Sequence, residues 1–241
     1  MMAMASDAFN DRLADAANDR AAQESRERAC EVLMEAFGDA GQVLSVGGYL
    51  FGPDRAAGVS PFRYGSDATV ALGTVCRIAS ELIEGASGLL RADNLYAASA
   101  LLRQIVEVEY LTWAFSEDEE EAAAWLRSNH EERMRLWQPR HIPDRSGGRF
   151  RGRDYREHCE RGGHPTPKAR ALVRGGARRE WIPLWWFDLT QHSVSAWRYA
   201  HDAFGKVQWG GEMPGKLDQH IDVAVEQWQA ADQLREVIAS L

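Results

Sequence analysis

Apolar residues recur every three or four positions along most of this chain, and no stretch alternates apolar and polar residues as a half-buried strand would. That period predicts an all-α fold, an antiparallel helical bundle of about six to eight helices. The first helix is expected over residues 7–37, Ala-rich and charge-laced, with little apolar content until Cys30, Val32, Leu33, Ala36 and Phe37. Residues 1–37 read as an N-terminal helical arm, and 38–241 as a single helical-bundle domain without an internal repeat. Residues 38–65 are rich in Gly and Pro and are expected to form a long ordered loop with at most a short helix.

A second helix starts near Ser66 or Asp67, either of which can cap it, and buries a stripe from Leu72 through Val75, Cys76, Ala79 and Ile83 to Leu90. Gly73, Gly85 and Gly88 each cost this helix roughly 1 kcal/mol relative to Ala, and close approach of a neighbouring helix is one reason to keep them. Asp93 is expected to cap a third helix reaching Phe115, and Ser116 with Glu119 to form a capping box for a fourth over 117–137. After a Pro- and Gly-containing loop, short helices are expected over 151–160 and 165–173. A long helix over 181–204 tolerates Pro183 in its first turn, and a last one covers about 214–240.

The third of these helices is apolar around most of its circumference, so it belongs in the centre of the bundle. Its polar exceptions are ordered. Tyr96, Ser99, Arg103, Glu107 and Tyr110 fall within a strip about 60° wide, and Arg103 and Glu107 stand at the i, i+4 spacing that lets side chains meet. The strip can be a structural ion pair fixing helix register, the wall of a ligand or active site, or a solvent-facing stripe. Arg103, Glu107 and Tyr110 are therefore candidate binding residues, to which opposing helices could add His192 or Tyr199.

Composition sharpens this picture. With 241 residues, nine Trp and 45% hydrophobic residues, the chain can bury a sizeable core. Asp7, Asp11 and Asp15 stand where a secretory leader would be basic and then apolar, and three scattered cysteines form no CxxC pair, so a soluble protein of the reducing cytoplasm is expected, with no membrane partner. The net charge of −8 argues against non-specific adhesion to nucleic acid. Residues 133–179 nevertheless hold 14 of the 28 Lys and Arg residues against four acids, an island of +10 in a remainder of −18. RNA or another anionic ligand is the partner such an island could attract, although 25 Arg against three Lys point to codon usage as a second source of its charge. Seven acids between Glu117 and Glu132 lie immediately before it and can neutralise part of it.

Three histidines, His141, His158 and His164, lie in the island. His158, Cys159 and His164, with or without His141, match no established zinc spacing, so no metal ligands and no cofactor are assigned. Cys159 reads as a nucleophile whose pKa nearby arginines lower, or as a buried structural thiol. His164 and Pro165 follow two glycines and form a rigid turn. Trp181, Trp185, Trp186, Phe187 and Trp197 read mainly as core or interface packing. Asp188 stands four residues before His192, where a carboxylate can orient the imidazole.

The run Arg153-Asp154-Tyr155-Arg156-Glu157-His158 has an Arg, four intervening residues and a His, and so resembles the motif of HEPN ribonucleases. Arg151 with His158 and Arg135 with His141 have related spacings, the latter across Pro139. Leu101-Leu102-Arg103, Glu107, Tyr155, Cys159 and His164-Pro165 further resemble a pattern in bacterial helical-bundle proteins, some of them HEPN-like, over roughly residues 90–205. The resemblance implies an all-α bundle and adds His164 to Arg103, Glu107, Tyr110 and His192 as residues of interest for binding. The expected function is a self-associating protein of binding or regulatory type with its polar site at Arg103 and Glu107. The alternative is a metal-independent HEPN-like ribonuclease in which His158 moves a proton and Arg153 stabilises charge on the cleaved phosphate.

Overall fold

The computed structural model describes residues 2–51, 66–150, 152–173, 181–207 and 215–239, and among these every regular element is helical. In chain order they are α1 (Met2–Asn18), α2 (Arg20–Phe51), α3 (Asp67–Arg91), α4 (Leu95–Glu117), α5 (Glu119–Arg127), α6 (His130–Leu136), the single turn α7 (Ile142–Arg145), α8 (Gly152–His158), α9 (Ile182–Phe204), α10 (Gly215–Ala231) and α11 (Leu234–Ala239). No helix among the described residues is long and apolar enough to cross a membrane.

Ten of these helices have six residues or more, which corrects the expected six to eight. The extra breaks are made by short acidic or amide side chains that accept hydrogen bonds from the next helix's first turn. Asp19 Oδ1 accepts from Ala22 N at 3.0 Å and separates α1 from α2. Asn129 and Glu132 form a reciprocal capping box that starts α6, so residues 117–137 are not one helix. Asp118 rather than Ser116 caps α5, and Asp232 Oδ1 accepts from Leu234 N at 3.1 Å between α10 and α11. Apolar periodicity continues across each break, and the pattern therefore does not register it. Asp93 likewise does not cap α4; it takes a left-handed φ of 55° after α3, and Asn94 occupies the cap position.

The expected loop is also corrected over residues 38–51. α2 continues through Gly38, Gly41, Gly47 and Gly48 to Phe51, while residues 52–65 lie outside the described part. A Cβ on Gly41 would stand 2.9 Å from the Gly73 carbonyl oxygen, one on Gly73 2.9 Å from Ser45 N, and one on Gly48 3.0 Å from Val70 N. These glycines let the α2 and α3 backbones touch, so the residues that suggested a loop instead make a close helix crossing. Gly88 has no such neighbour within 4 Å.

α4 lies between α3 and α9, with Leu102, Ile105, Val106, Trp113 and Phe115 buried in one continuous core. Deep in that core Phe37 meets Trp197 edge-on at 5.0 Å. A buried ion pair ties the chain's two ends together: Arg26 donates through Nε and Nη2 to Asp232 Oδ2 and Oδ1 at 2.6 and 2.7 Å, with both side chains screened from water. The remaining flank of α4 is covered by α8 and its π-helical continuation, Cys159–Gly163. A Cβ on Gly162 would meet Ser99 Cβ and lie 3.1 Å from its carbonyl carbon, so the π-helical turn rests directly on the α4 backbone.

Candidate functional site

The polar strip of α4 faces this covering segment, and it is partly buried. Arg103 Nη1 donates to Glu107 Oε1 at 2.6 Å and to Tyr155 Oη at 3.0 Å, and the Tyr155 hydroxyl in turn donates to Glu107 Oε1 at 2.8 Å. Burial pulls the Arg103 pKa down, but Glu107 and Tyr155 outweigh it and leave it above its ordinary value. Burial, then the bond to Glu107, pushes the Tyr155 phenol well above its usual range, so it stays a donor. Tyr110 continues the strip, packed 4.6 Å from Phe150 and 6.1 Å from Tyr155 between ring centroids. Ser99 accepts a short hydrogen bond from Trp185 Nε1 of α9.

His158 follows one helical turn beyond Tyr155, at the end of α8. Its Nε2 stands 3.7 Å from Asp188 Oδ2 on α9, and its ring meets that of His192 edge-on at 5.2 Å. His192 Nδ1 lies 2.6 Å from Glu109 Oε2, both groups being buried, while its Nε2 faces Asp188 Oδ1 at 3.6 Å. The short contact to a carboxylate favours the hydrogen on Nδ1, which leaves Nε2 facing Asp188. These groups line a cavity of about 650 Å³. Phe150, Trp181, Trp185, Phe187 and Tyr199 wall it, and Arg149 and Arg161 are also part of its lining.

Of the residues singled out from sequence, Ser99, Tyr110, His158, Asp188, His192 and Tyr199 line the cavity with Trp181, Trp185 and Phe187, whereas Arg103 and Glu107 are not part of its lining and bond to Tyr155, three residues before His158 on α8. His164 is exposed and is not part of the lining. Arg153 lies in α8, but its side chain falls outside the described residues. Three described cations of the basic segment are paired with acids: Arg145 with Glu121 at 2.7 Å, Arg161 with Glu157 at 3.1 Å and Lys168 with Glu160 at 3.4 Å. Asp188 was expected to orient His192, yet the close partner is Glu109. Sequence reasoning missed Glu109. Its available signal was a carboxylate among apolar neighbours on a helix expected to be central, where an acid must find a partner.

His158, Asp188 and His192 present three donor atoms within 4.8 Å of one another, a grouping that residue spacing along the chain had not suggested. Arranged in this way, the cluster can exchange protons, bind a polar head group or hold a cation. No family model, no curated protein and no solved structure matches the chain.

Proposed function

We propose that the protein is of binding or regulatory type and that the cavity between α4, α8 and α9 is its working site. The ligand class is a small molecule with a ring-sized apolar body and a polar head. Aromatic walls suit the body, and His158, Asp188 and His192 at one end suit the head. The observation that carries the reading is the double anchoring of α8: Tyr155 is fixed by Arg103 and Glu107, and three residues later His158 faces α9 across the cavity. In this reading the Arg103–Glu107 pair braces the wall and does not itself contact ligand.

The test is a thermal-shift screen of small aromatic carboxylates, phosphates and nucleotides against the wild type and Ser195→Trp, a cavity-lining change intended to fill the space. Compounds that raise the wild-type Tm should leave the variant unmoved while its ligand-free Tm stays within a few degrees of wild type. No shift from any compound at millimolar concentration would remove the reading.

A second reading, the HEPN-like ribonuclease, is favoured by one observation: His158 shares the cavity with a second imidazole, and such a pair can take and return a proton. Labelled RNA incubated in EDTA should then be cleaved by the wild type and not by His158→Ala. Intact RNA over a wide protein range removes that reading.

A further inference from the structure

We infer that His158, Asp188 and His192 form a mononuclear site for a divalent transition metal of the zinc class, with Glu109 as the residue that positions His192. The inference deepens the reading of the cavity as the working site and rests on it for its functional sense, though not for metal binding itself. Three observations carry it. The donor groups are two imidazole nitrogens and a carboxylate, with His158 Nε2 3.7 Å from Asp188 Oδ2 and His192 Nε2 3.6 Å from Asp188 Oδ1. Ligands about 2.0–2.1 Å from a tetrahedral ion stand about 3.3 Å apart, so closure around a metal requires the Asp188 carboxylate to turn one oxygen between the two rings, the three donor atoms already lying within 4.8 Å of one another. The third separation lies within 4.8 Å, and rotation of the His158 side chain toward the centre can close it.

The second observation is the Glu109 contact. A histidine that ligates through one nitrogen ordinarily donates its other N–H to a carboxylate, which fixes ring and tautomer. Glu109 Oε2 holds His192 Nδ1 at 2.6 Å, both residues being buried, and Nε2 of the ring is thereby directed at Asp188. A plain ion pair between His192 and Asp188 would not require that second, buried carboxylate. The third is access: all three donor residues line the cavity, so the remaining position of a four-coordinate ion opens onto its volume, where water or a ligand head group can enter. Two nitrogens and one oxygen suit zinc, cobalt or nickel, whereas magnesium and calcium favour oxygen-only sets.

The experiment titrates EDTA-stripped, dialysed full-length protein with Zn2+ by calorimetry and with Co2+ by visible absorption. Wild type should bind a stoichiometric equivalent and develop the intense bands of four-coordinate Co2+. Asp188→Asn, at a side chain 40% exposed, and His158→Asn should each weaken Zn2+ at least tenfold. Glu109→Gln should weaken it by about 10–100-fold while the Co2+ spectrum keeps its shape, as expected of a positioning residue. His164→Ala and His130→Ala, at exposed sites, should bind as wild type. Absence of stoichiometric binding by wild type, or binding that Asp188→Asn and His158→Asn leave unchanged, overturns the inference. Ser195→Trp separates the two readings. Metal binding that survives there while small-molecule shifts vanish supports both, and small-molecule shifts in EDTA without any metal binding refute only the metal site.

Discussion

Replacing Arg26 by Met should be among the most damaging single changes in the molecule. The guanidinium is fully enclosed and donates twice to Asp232, with longer contacts from Nη2 to Ala16 O at 3.3 Å and from Nη1 to Ala17 O at 3.4 Å. Once it is removed, the Asp232 carboxylate, 4% exposed, keeps among the described residues Trp228 Nε1 at 2.8 Å and Leu234 N at 3.1 Å. A stranded buried charge of this kind costs about 3–5 kcal/mol, a large part of the roughly 5–15 kcal/mol that holds a domain folded. Adding Asp232→Asn removes the charge but keeps an acceptor oxygen for only one of the two donors, Trp228 Nε1 on Oδ2 or Leu234 N on Oδ1, so the double variant should lose about 1–3 kcal/mol. Urea unfolding followed by circular dichroism and tryptophan fluorescence gives all three values, and the double variant should be the more stable by about 2 kcal/mol. If the two changes simply add, or if Arg26→Met costs under about 1 kcal/mol, the reasoning from a dehydrated pair is wrong.

The Arg103–Glu107 pair should behave differently, because its side chains are 22% and 33% exposed and water reaches the partner left behind. Arg103→Met is expected to cost about 1–2 kcal/mol in the same urea assay, well below Arg26→Met. Burial pushes Cys30 from its ordinary value of 9.0 up to about 12, and Cys76 higher still. The folded state thus keeps protons that the unfolded state releases, and the stability this contributes is full below pH 9.0 and is lost as pH rises toward 12. The unfolding free energy from urea titration should therefore fall above about pH 9, by at most about 1.4 kcal/mol per pH unit for each thiol, and a flat alkaline limb would contradict it. Under native conditions iodoacetamide should label Cys159 well ahead of the buried Cys30 and Cys76, as mass spectrometry of peptides will report. Gly162→Ala drives a methyl group into the Ser99 backbone and should cost about 1–3 kcal/mol, read as a lowered Tm; an unchanged Tm would mean the π-helical turn does not rest on α4.

Much of the fold was already present in the order of residues. The 3.6-residue period depends only on which positions are apolar, so it located α3, α4 and α9 and placed α4 at the centre. Helix ends were less legible because Asp19, Asn129 and Asp232 break the backbone without interrupting that period. Glycine misled over residues 38–51, since the same residue serves a turn or a backbone contact, and only a neighbour decides which. Gly41 and Gly73 became a crossing because α3 lies against α2.

The same distinction runs through the candidate site. Arg103 with Glu107, and Asp188 with His192, are four residues apart on one helix, so sequence alone brought each pair within reach. Tyr155 joining the first pair is a contact over 48 to 52 residues, and Glu109 joining His192 spans 83. The convergence of His158, Asp188 and His192 needs α8 pinned against α4 and α9 beneath it, which no spacing encodes. Local chemistry follows from the chain because helical geometry repeats every turn; the meeting of distant side chains follows only from how the helices pack, which the whole core decides together.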